Sequence, residues 1–159
     1  MKKFILILAA MVCLTSCMTE RTDVIYSLKL AYVSGSFTSL SVDGSSNEAA
    51  KAAYDKINEK VKTFKSQYTR EDWVENVRNG KYSKADKNAK ALFNTASSAL
   101  DDLQKECNDI VKNIPSGLKA EFELEYLLVL SRYVDAKDTV IDQKTFSVEY
   151  DGDKGANLE

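Results

Sequence analysis

The sequence predicts an α+β fold, in which a small and mostly antiparallel sheet of about three strands is covered on one face by a long helix pair. Two observations predict it. Segments near both ends of the chain alternate apolar and polar residues, which is typical of strands with one buried face. Two central segments repeat apolar residues every three or four positions, which is typical of amphipathic helices. The expected order of elements is strand, helices, strand, strand.

The first strand is expected at residues 23–33. One of its faces consists of large apolar residues in alternate positions: Val24, Tyr26, Leu28, Leu30 and Tyr32. Gly35 and the serine- and threonine-rich stretch that follows it to Ser46 are expected to end the strand.

A long helix is predicted from about Asn47 to Gln67, because Ser45 and Glu48 form an S-x-x-E capping box at its start. Apolar residues then follow at helical spacing: Ala50, Ala53, Ile57, Val61, Phe64 and Tyr68.

A short helix is predicted next, around Trp73. Thr69 and Asp72 repeat the start signal, while Asn79 and Gly80 tolerate positive φ and are typical of helix ends.

The longest predicted helix runs from Lys84 to Asn113, and Pro115 and Gly117 end it. Its apolar residues recur every three or four positions: Ala85, Ala89, Leu92, Ala96, Leu100, Leu103, Cys107, Ile110 and Ile114. Because small alanines let a second helix approach closely, the two long helices are expected to pack as an antiparallel pair.

Two strands are expected in the last third of the chain. Residues 118–130 place glutamates on one face and apolar residues on the other. A third helix is the alternative there, because Glu, Leu and Ala favour helices and residues 127–130 do not alternate. A final strand is expected over residues 140–150, and the Gly- and Asp-rich tail at 151–159 is expected to fray.

The first residues have the pattern of a secretion signal. Lys2 and Lys3 precede an apolar run from Phe4 to Leu14 that is too short to span a bilayer. The run ends in residues that resemble the lipobox of bacterial lipoproteins: Leu14, Thr15, Ser16 and Cys17. Cys13 is the weaker candidate for modification, and an ordinary secretory signal is the alternative interpretation.

The resemblance implies that signal peptidase II cuts between Ser16 and Cys17, and that lipid is attached to the Cys17 thiol and commonly to the new amino group. Residues 1–16 would then be a cleaved signal peptide, 17–22 a lipidated tether and 23–150 one globular domain. Residues 18–21 do not match an aspartate-led retention signal, which favours the outer membrane over the inner one and leaves the side of that membrane open. The leader is also similar to those of small lipoproteins of Bacteroides-type bacteria.

Composition excludes several kinds of site. The chain has no histidine, which removes the commonest general base, the commonest zinc ligand and every histidine-dependent nucleophile. The 22 basic and 24 acidic residues form no basic stripe, so nucleic-acid binding is not expected. Cys107 would be the only free thiol after processing, and its place on an apolar stripe predicts a buried, inert side chain. No cofactor or metal is expected.

Acidic residues come closest to a catalytic pattern. Glu121, Glu123 and Glu125 share one face of a predicted strand, and Asp72 lies three residues before Glu75. Paired carboxyl groups hydrolyse glycosidic bonds, so a carboxylate-dependent hydrolase acting on an envelope or extracellular substrate is the alternative function. A solvated strand face is the favoured interpretation of the three glutamates, because polar residues alternate outward in antiparallel sheets.

Aromatic residues are the best candidates for a binding surface. Tyr68, Trp73 and Tyr82 flank the connection between the long helices and are predicted to form an exposed cluster that contacts a partner. Packing in the core or at its boundary is nevertheless the favoured interpretation of the aromatic residues, and the exposed cluster is the alternative. Together these features predict a membrane-anchored lipoprotein of the bacterial cell envelope that acts as a non-enzymatic binding or accessory module. Its expected contacts are the membrane, through lipid on Cys17, and another envelope protein or a glycan.

Overall fold

A computed structural model describes residues 21–39, 47–78 and 80–152. The elements follow in this order: β1 (Arg21–Ser39), α1 (Glu48–Tyr68), β2 (Arg70–Arg78), α2 (Ser83–Lys112), β3 (Ala120–Val134) and β4 (Lys137–Asp151). These residues form one four-stranded sheet in the order β2-β1-β3-β4, and every neighbouring pair is antiparallel. The predicted α+β fold, a small antiparallel sheet with a long helix pair, is confirmed.

The short helix predicted around Trp73 is wrong, because this segment is the edge strand β2. Trp73 and Val77 are both buried, and a spacing of four residues fits one face of a helix and one face of a strand equally well. The segment adopts a strand and not a helix because the free edge of β1 offers backbone donors and acceptors. β2 pairs with this edge from Arg70 to Arg78.

Three of the strands are longer than expected. Arg21 and Thr22, which the sequence pattern places in the tether, already pair with β2. β1 also passes Gly35 and ends at Ser39, because its second half pairs with β3 beyond a bulge between Tyr32 and Ser34. At 120–134 the structure has a strand and not the alternative helix, and β4 begins at Lys137.

The hairpin between β3 and β4 turns on two residues with positive φ. Asp135 and Ala136 have φ of 51° and 59°, as the twist of a two-residue hairpin requires. At the other end of β4 the amide of Gly152 donates to the Ala120 carbonyl at 2.9 Å, so the first residues of the expected fraying tail are ordered. A side chain at Gly152 would meet the Leu118 carbonyl oxygen at 2.0 Å, so this close approach requires glycine.

The helices pack on each other and on one face of the sheet. Lys60 Nζ of α1 lies 2.5 Å from a carboxylate oxygen of Glu106, and Tyr68 and Ala99 line the same groove between the helices, so the helices run antiparallel as predicted. The buried residues of α2 differ from the predicted apolar stripe in two places. Phe93 and Val111 are buried, whereas the predicted Leu92 is 42% exposed and the predicted Ile110 is only partly buried. Several apolar side chains are exposed on the sheet face opposite the helices: Val74, Tyr133 and Val140.

Candidate functional site

A partly buried ion pair joins α2 to the sheet at the end where β1 begins. Asp86, in the first turn of α2, accepts a hydrogen bond at one carboxylate oxygen from the Tyr26 hydroxyl of β1, at 2.8 Å. Its other carboxylate oxygen accepts from Arg132 Nη1 of β3, at 2.6 Å. Both oxygens of Asp86 are therefore engaged by groups from two adjacent central strands.

Arg132 is held from a second direction by Tyr82, whose ring lies 4.8 Å from the guanidinium carbon. The Arg132 side chain is 19% exposed and that of Asp86 27% exposed, so solvent screens this pair less than an exposed pair such as Lys105 and Asp102. Arg132 Nε is buried and has no hydrogen-bond partner among the residues that the structure describes. The guanidinium is thus fixed in place while part of its donor capacity is unused.

Tyr26 supports the ion pair from the core. Its ring stacks on Trp73 with centroids 5.5 Å apart, and its hydroxyl reaches Asp86. Burial, followed by the hydrogen bond to Asp86, raises the pKa of Tyr26 well above its ordinary value. Tyr26 therefore remains a neutral hydrogen-bond donor throughout the physiological pH range.

A groove of about 550 Å³ lies beside this ion pair, between α2 and the β3–β4 hairpin. Its lining combines hydroxyl, amide, basic, acidic and small apolar side chains: Ser83, Asp86, Lys87, Lys90, Ala91, Asn94, Arg132 and Ile141. The helical members are spaced so that they share one side of α2. Ala91 and Ile141 contribute the apolar part of the wall.

The groove is electropositive, although the chain carries a net charge of −2. Lys87, Lys90 and Arg132 bring three positive charges to the lining, and Asp86 is its one carboxylate. Lys87 and Lys90 are exposed and form no ion pair with another residue of the described segments. The arrangement can bind an anion.

The three aromatic residues do not form one exposed cluster, because they lie in different surroundings, and Trp73 follows the core-packing interpretation. Trp73 is only 7% exposed, since its place on the inner face of β2 packs it against Tyr26. Tyr68 is 36% exposed and packs on Phe64 at the end of α1. Tyr82 is half-buried and belongs to the groove end through Arg132.

Two of the carboxylates that the sequence offered as a catalytic site lie together, because Glu121 and Glu123 line one shallow pocket with Glu149 and Asp151 of β4, whereas Asp72 lies elsewhere. Glu121 and Glu123 are exposed on the face of β3 opposite the helices, as the solvated-face interpretation predicts. Glu125 is half-buried and accepts a hydrogen bond of 3.4 Å from Ser34. Asp72 lies at the edge of the sheet, 3.8 Å from Lys29 Nζ, and has a positive φ of 52°.

Cys107 is fully buried on α2, as predicted. Burial raises the pKa of Cys107 to about 12, against the opposing effect of the Lys60 charge. The thiolate that nucleophilic or redox chemistry needs is therefore scarce at neutral pH.

Several predicted features lie outside the described residues. They are the leader at 1–16, Cys17 with its cleavage point after Ser16, the capping residue Ser45 and most of the tail. Within segments 21–39, 47–78 and 80–152, no group of three or more potential metal ligands is found. No helix in the same segments is long and apolar enough to cross a membrane.

Sequence reasoning did not identify the groove residues as a site. Lys87, Lys90 and Asn94 look like an ordinary solvated helix face, and Arg132 lies 46 residues from Asp86 along the chain. The one available signal was an arginine in a strand otherwise rich in buried apolar residues. Comparison with known proteins adds no further information, because no protein family, curated protein or solved structure matches this chain.

Proposed function

We propose that this chain is a lipid-anchored protein of the bacterial cell envelope that acts as a non-enzymatic binding or accessory module. Its signal peptide is residues 1–16, its lipid is attached to Cys17, and the outer membrane is its favoured location. β1 begins at Arg21, four residues after Cys17, and four residues span at most about 14 Å. The domain therefore lies close to the bilayer surface.

The observation that carries the binding role is the groove beside Arg132. Its charged groups are suited to binding an anion. Asp86 and Tyr82 hold Arg132 in a fixed position, and Lys87 and Lys90 line the same groove. A carboxylate-dependent hydrolase needs two carboxyl groups with different pKa values at one site. Asp86 is the groove's one carboxylate in the described segments, and both its oxygens are already hydrogen-bonded.

The groove lies on the membrane-proximal part of the domain. Ile25, near the start of β1, is paired with Tyr133, next to Arg132, so the β3–β4 hairpin and the tether share one end of the sheet. A ligand of this groove is consequently a component that reaches the bilayer surface: a lipid headgroup, a glycan or an envelope protein.

Metabolic labelling with an alkyne fatty acid, followed by click detection in a gel, tests the anchor. The unaltered protein should carry label, Cys17→Ala should carry none, and the matched variant Cys107→Ala should label like the unaltered protein. Equal labelling of the Cys17→Ala variant, or an intact Met1 in the mature protein by mass spectrometry, would contradict the anchor.

A further inference from the structure

We propose that the groove between α2 and the β3–β4 hairpin binds a phosphate group. The phosphate is carried either by a lipid headgroup or by a small soluble phosphate monoester. This inference rests on the binding role proposed for the groove and names its ligand, but it does not depend on the lipid anchor.

Charge is the first argument. With three cations and one carboxylate in its lining, the groove has a net charge that a dianion would neutralise. A phosphate monoester carries nearly two negative charges at neutral pH. Lys87 and Lys90 have no acidic partner within the described residues, so binding an anion breaks no existing ion pair.

Geometry is the second argument. Lys87 and Lys90 are three residues apart on α2, so their Cβ atoms lie roughly 5–6 Å apart and their ammonium groups can meet on one small ligand. Ser83 and Asn94 add a hydroxyl and an amide to the same side of the helix. Since Ser83 and Asn94 are about 16 Å apart along the helix, one phosphate group cannot contact both, and the two ammonium groups between them are the donors that its oxygens meet.

Preorganisation is the third argument. Asp86 engages Nη1 of Arg132, and the Tyr82 ring supports its flat face, so the guanidinium needs no reordering on binding. Nε of the same guanidinium is buried, so an oxyanion meets Arg132 through the part of the guanidinium that lines the groove and not through Nε. That part is already in position, and arginine matches phosphate geometry well.

The apolar wall completes the fit. Ala91 is small and Ile141 is partly buried, and both line the groove beside the charged residues. Carbon atoms next to the phosphate, such as those of a glycerol or a sugar, can pack on these side chains while the phosphate contacts the cations.

The test is an NMR titration of the ¹⁵N-labelled full chain in dodecyl maltoside micelles and phosphate-free buffer. The reporters are the side-chain amide of Asn94 and the Nε–H of Arg132. Inorganic phosphate is the first probe and succinate, a dicarboxylate, is its comparison. Dihexanoyl phosphatidic acid is the lipid probe, with dihexanoyl phosphatidylcholine as its control.

We expect inorganic phosphate, phosphatidic acid or both to shift the two reporters in a saturable way. Lys87→Gln and Lys90→Gln should each weaken this binding roughly fivefold to tenfold, as loss of one charge-assisted hydrogen bond implies. Lys105→Gln, which removes an exposed charge elsewhere on α2, should leave it unchanged. Both lysines of the groove are exposed and unpaired within the described segments, so their replacement leaves the fold intact.

Each outcome decides the proposal. A response to phosphatidic acid alone supports it and identifies the source as a lipid headgroup, whereas a response to inorganic phosphate supports it with a soluble ligand. No saturable shift with either probe, tighter binding of succinate, or equal weakening by Lys105→Gln would overturn it. Loss of fatty-acid labelling at Cys17 would refute the anchor and leave these titrations unaffected, so the two proposals fail separately.

Discussion

The inner face of the sheet is closed in two different ways at its two ends. At the end far from the start of β1, Phe122 packs among aromatic rings of three other elements, with centroids 5.4 Å from Tyr150, 5.5 Å from Tyr54 and 6.4 Å from Phe37. At the end where β1 begins, the same layer contains Asp86, which bridges Tyr26 and Arg132.

The two ends of the core therefore contribute different properties: the aromatic end contributes stability, and the polar end contributes groups that can bind a ligand. Aromatic rings are large and uncharged, so their burial at the aromatic end stabilises the fold. The same rings offer few charged or hydrogen-bonding groups to a ligand. An ion pair that is only partly shielded from water adds little net stability, but it fixes a guanidinium at the edge of a groove. The polar end is therefore where binding is expected, and the aromatic end is where substitutions should cost the most.

The largest effect should come from Phe122→Ala. Phe122 is 2% exposed, and its removal leaves a cavity between sheet and α1, so the free energy of unfolding should fall by about 3–5 kcal/mol. Urea denaturation measures this loss, and Phe122→Leu, which keeps most of the volume, should cost clearly less. A loss below about 1 kcal/mol would mean that the aromatic end is not the stable one.

An intermediate effect should come from Asp86→Asn. This change leaves Arg132 with a weaker partner in a partly buried position, so unfolding should become easier by about 1–3 kcal/mol. Asp109→Asn, an exposed position on the same helix whose ion contact with Lys112 is 3.9 Å long, should change stability by less than about 0.5 kcal/mol. Equal effects of the two variants in urea denaturation would show that the ion pair is no different from a surface contact.

The smallest effect should come from Tyr150→Phe. The Tyr150 hydroxyl is buried and has no hydrogen-bond partner among the described residues, so its removal should be neutral or raise the unfolding free energy by less than about 1 kcal/mol. Tyr26→Phe is the matched change at the polar end and should be destabilising, because it leaves Asp86 with one hydrogen bond fewer. Destabilisation by Tyr150→Phe in thermal unfolding would contradict this contrast.

Periodicity predicted the secondary structure where an element was long. The stripe of α2 and the alternation in β3 extend over enough residues for the periods of two and 3.6 to diverge. In β2 the two buried residues are four positions apart, where the periods coincide, and only the edge of β1 decides between strand and helix. Leu92 and Phe93 are adjacent, so a repeat of three or four residues is compatible with either one on the buried side of α2.

The candidate site was not predictable in the same way. Asp86 contacts Tyr26 from 60 residues away and Arg132 from 46 residues away, so the ion pair depends on the sheet order and not on any local pattern. Lys87 and Lys90 acquire a role only because the β3–β4 hairpin lies opposite them. The aromatic residues suggested a site because they are large, and Trp73 is buried for the same reason.

The length of β1 gives the domain considerable reach. Its 19 residues extend up to about 60 Å, which is roughly twice the thickness of a bilayer's hydrocarbon core. If lipid holds one end of this strand, the groove lies at headgroup height, while the carboxylates of Glu121 and Glu123 lie toward the far end. The two ends of β1 would then differ in both height above the bilayer and charge, with the basic groove near the surface and these carboxylates far from it.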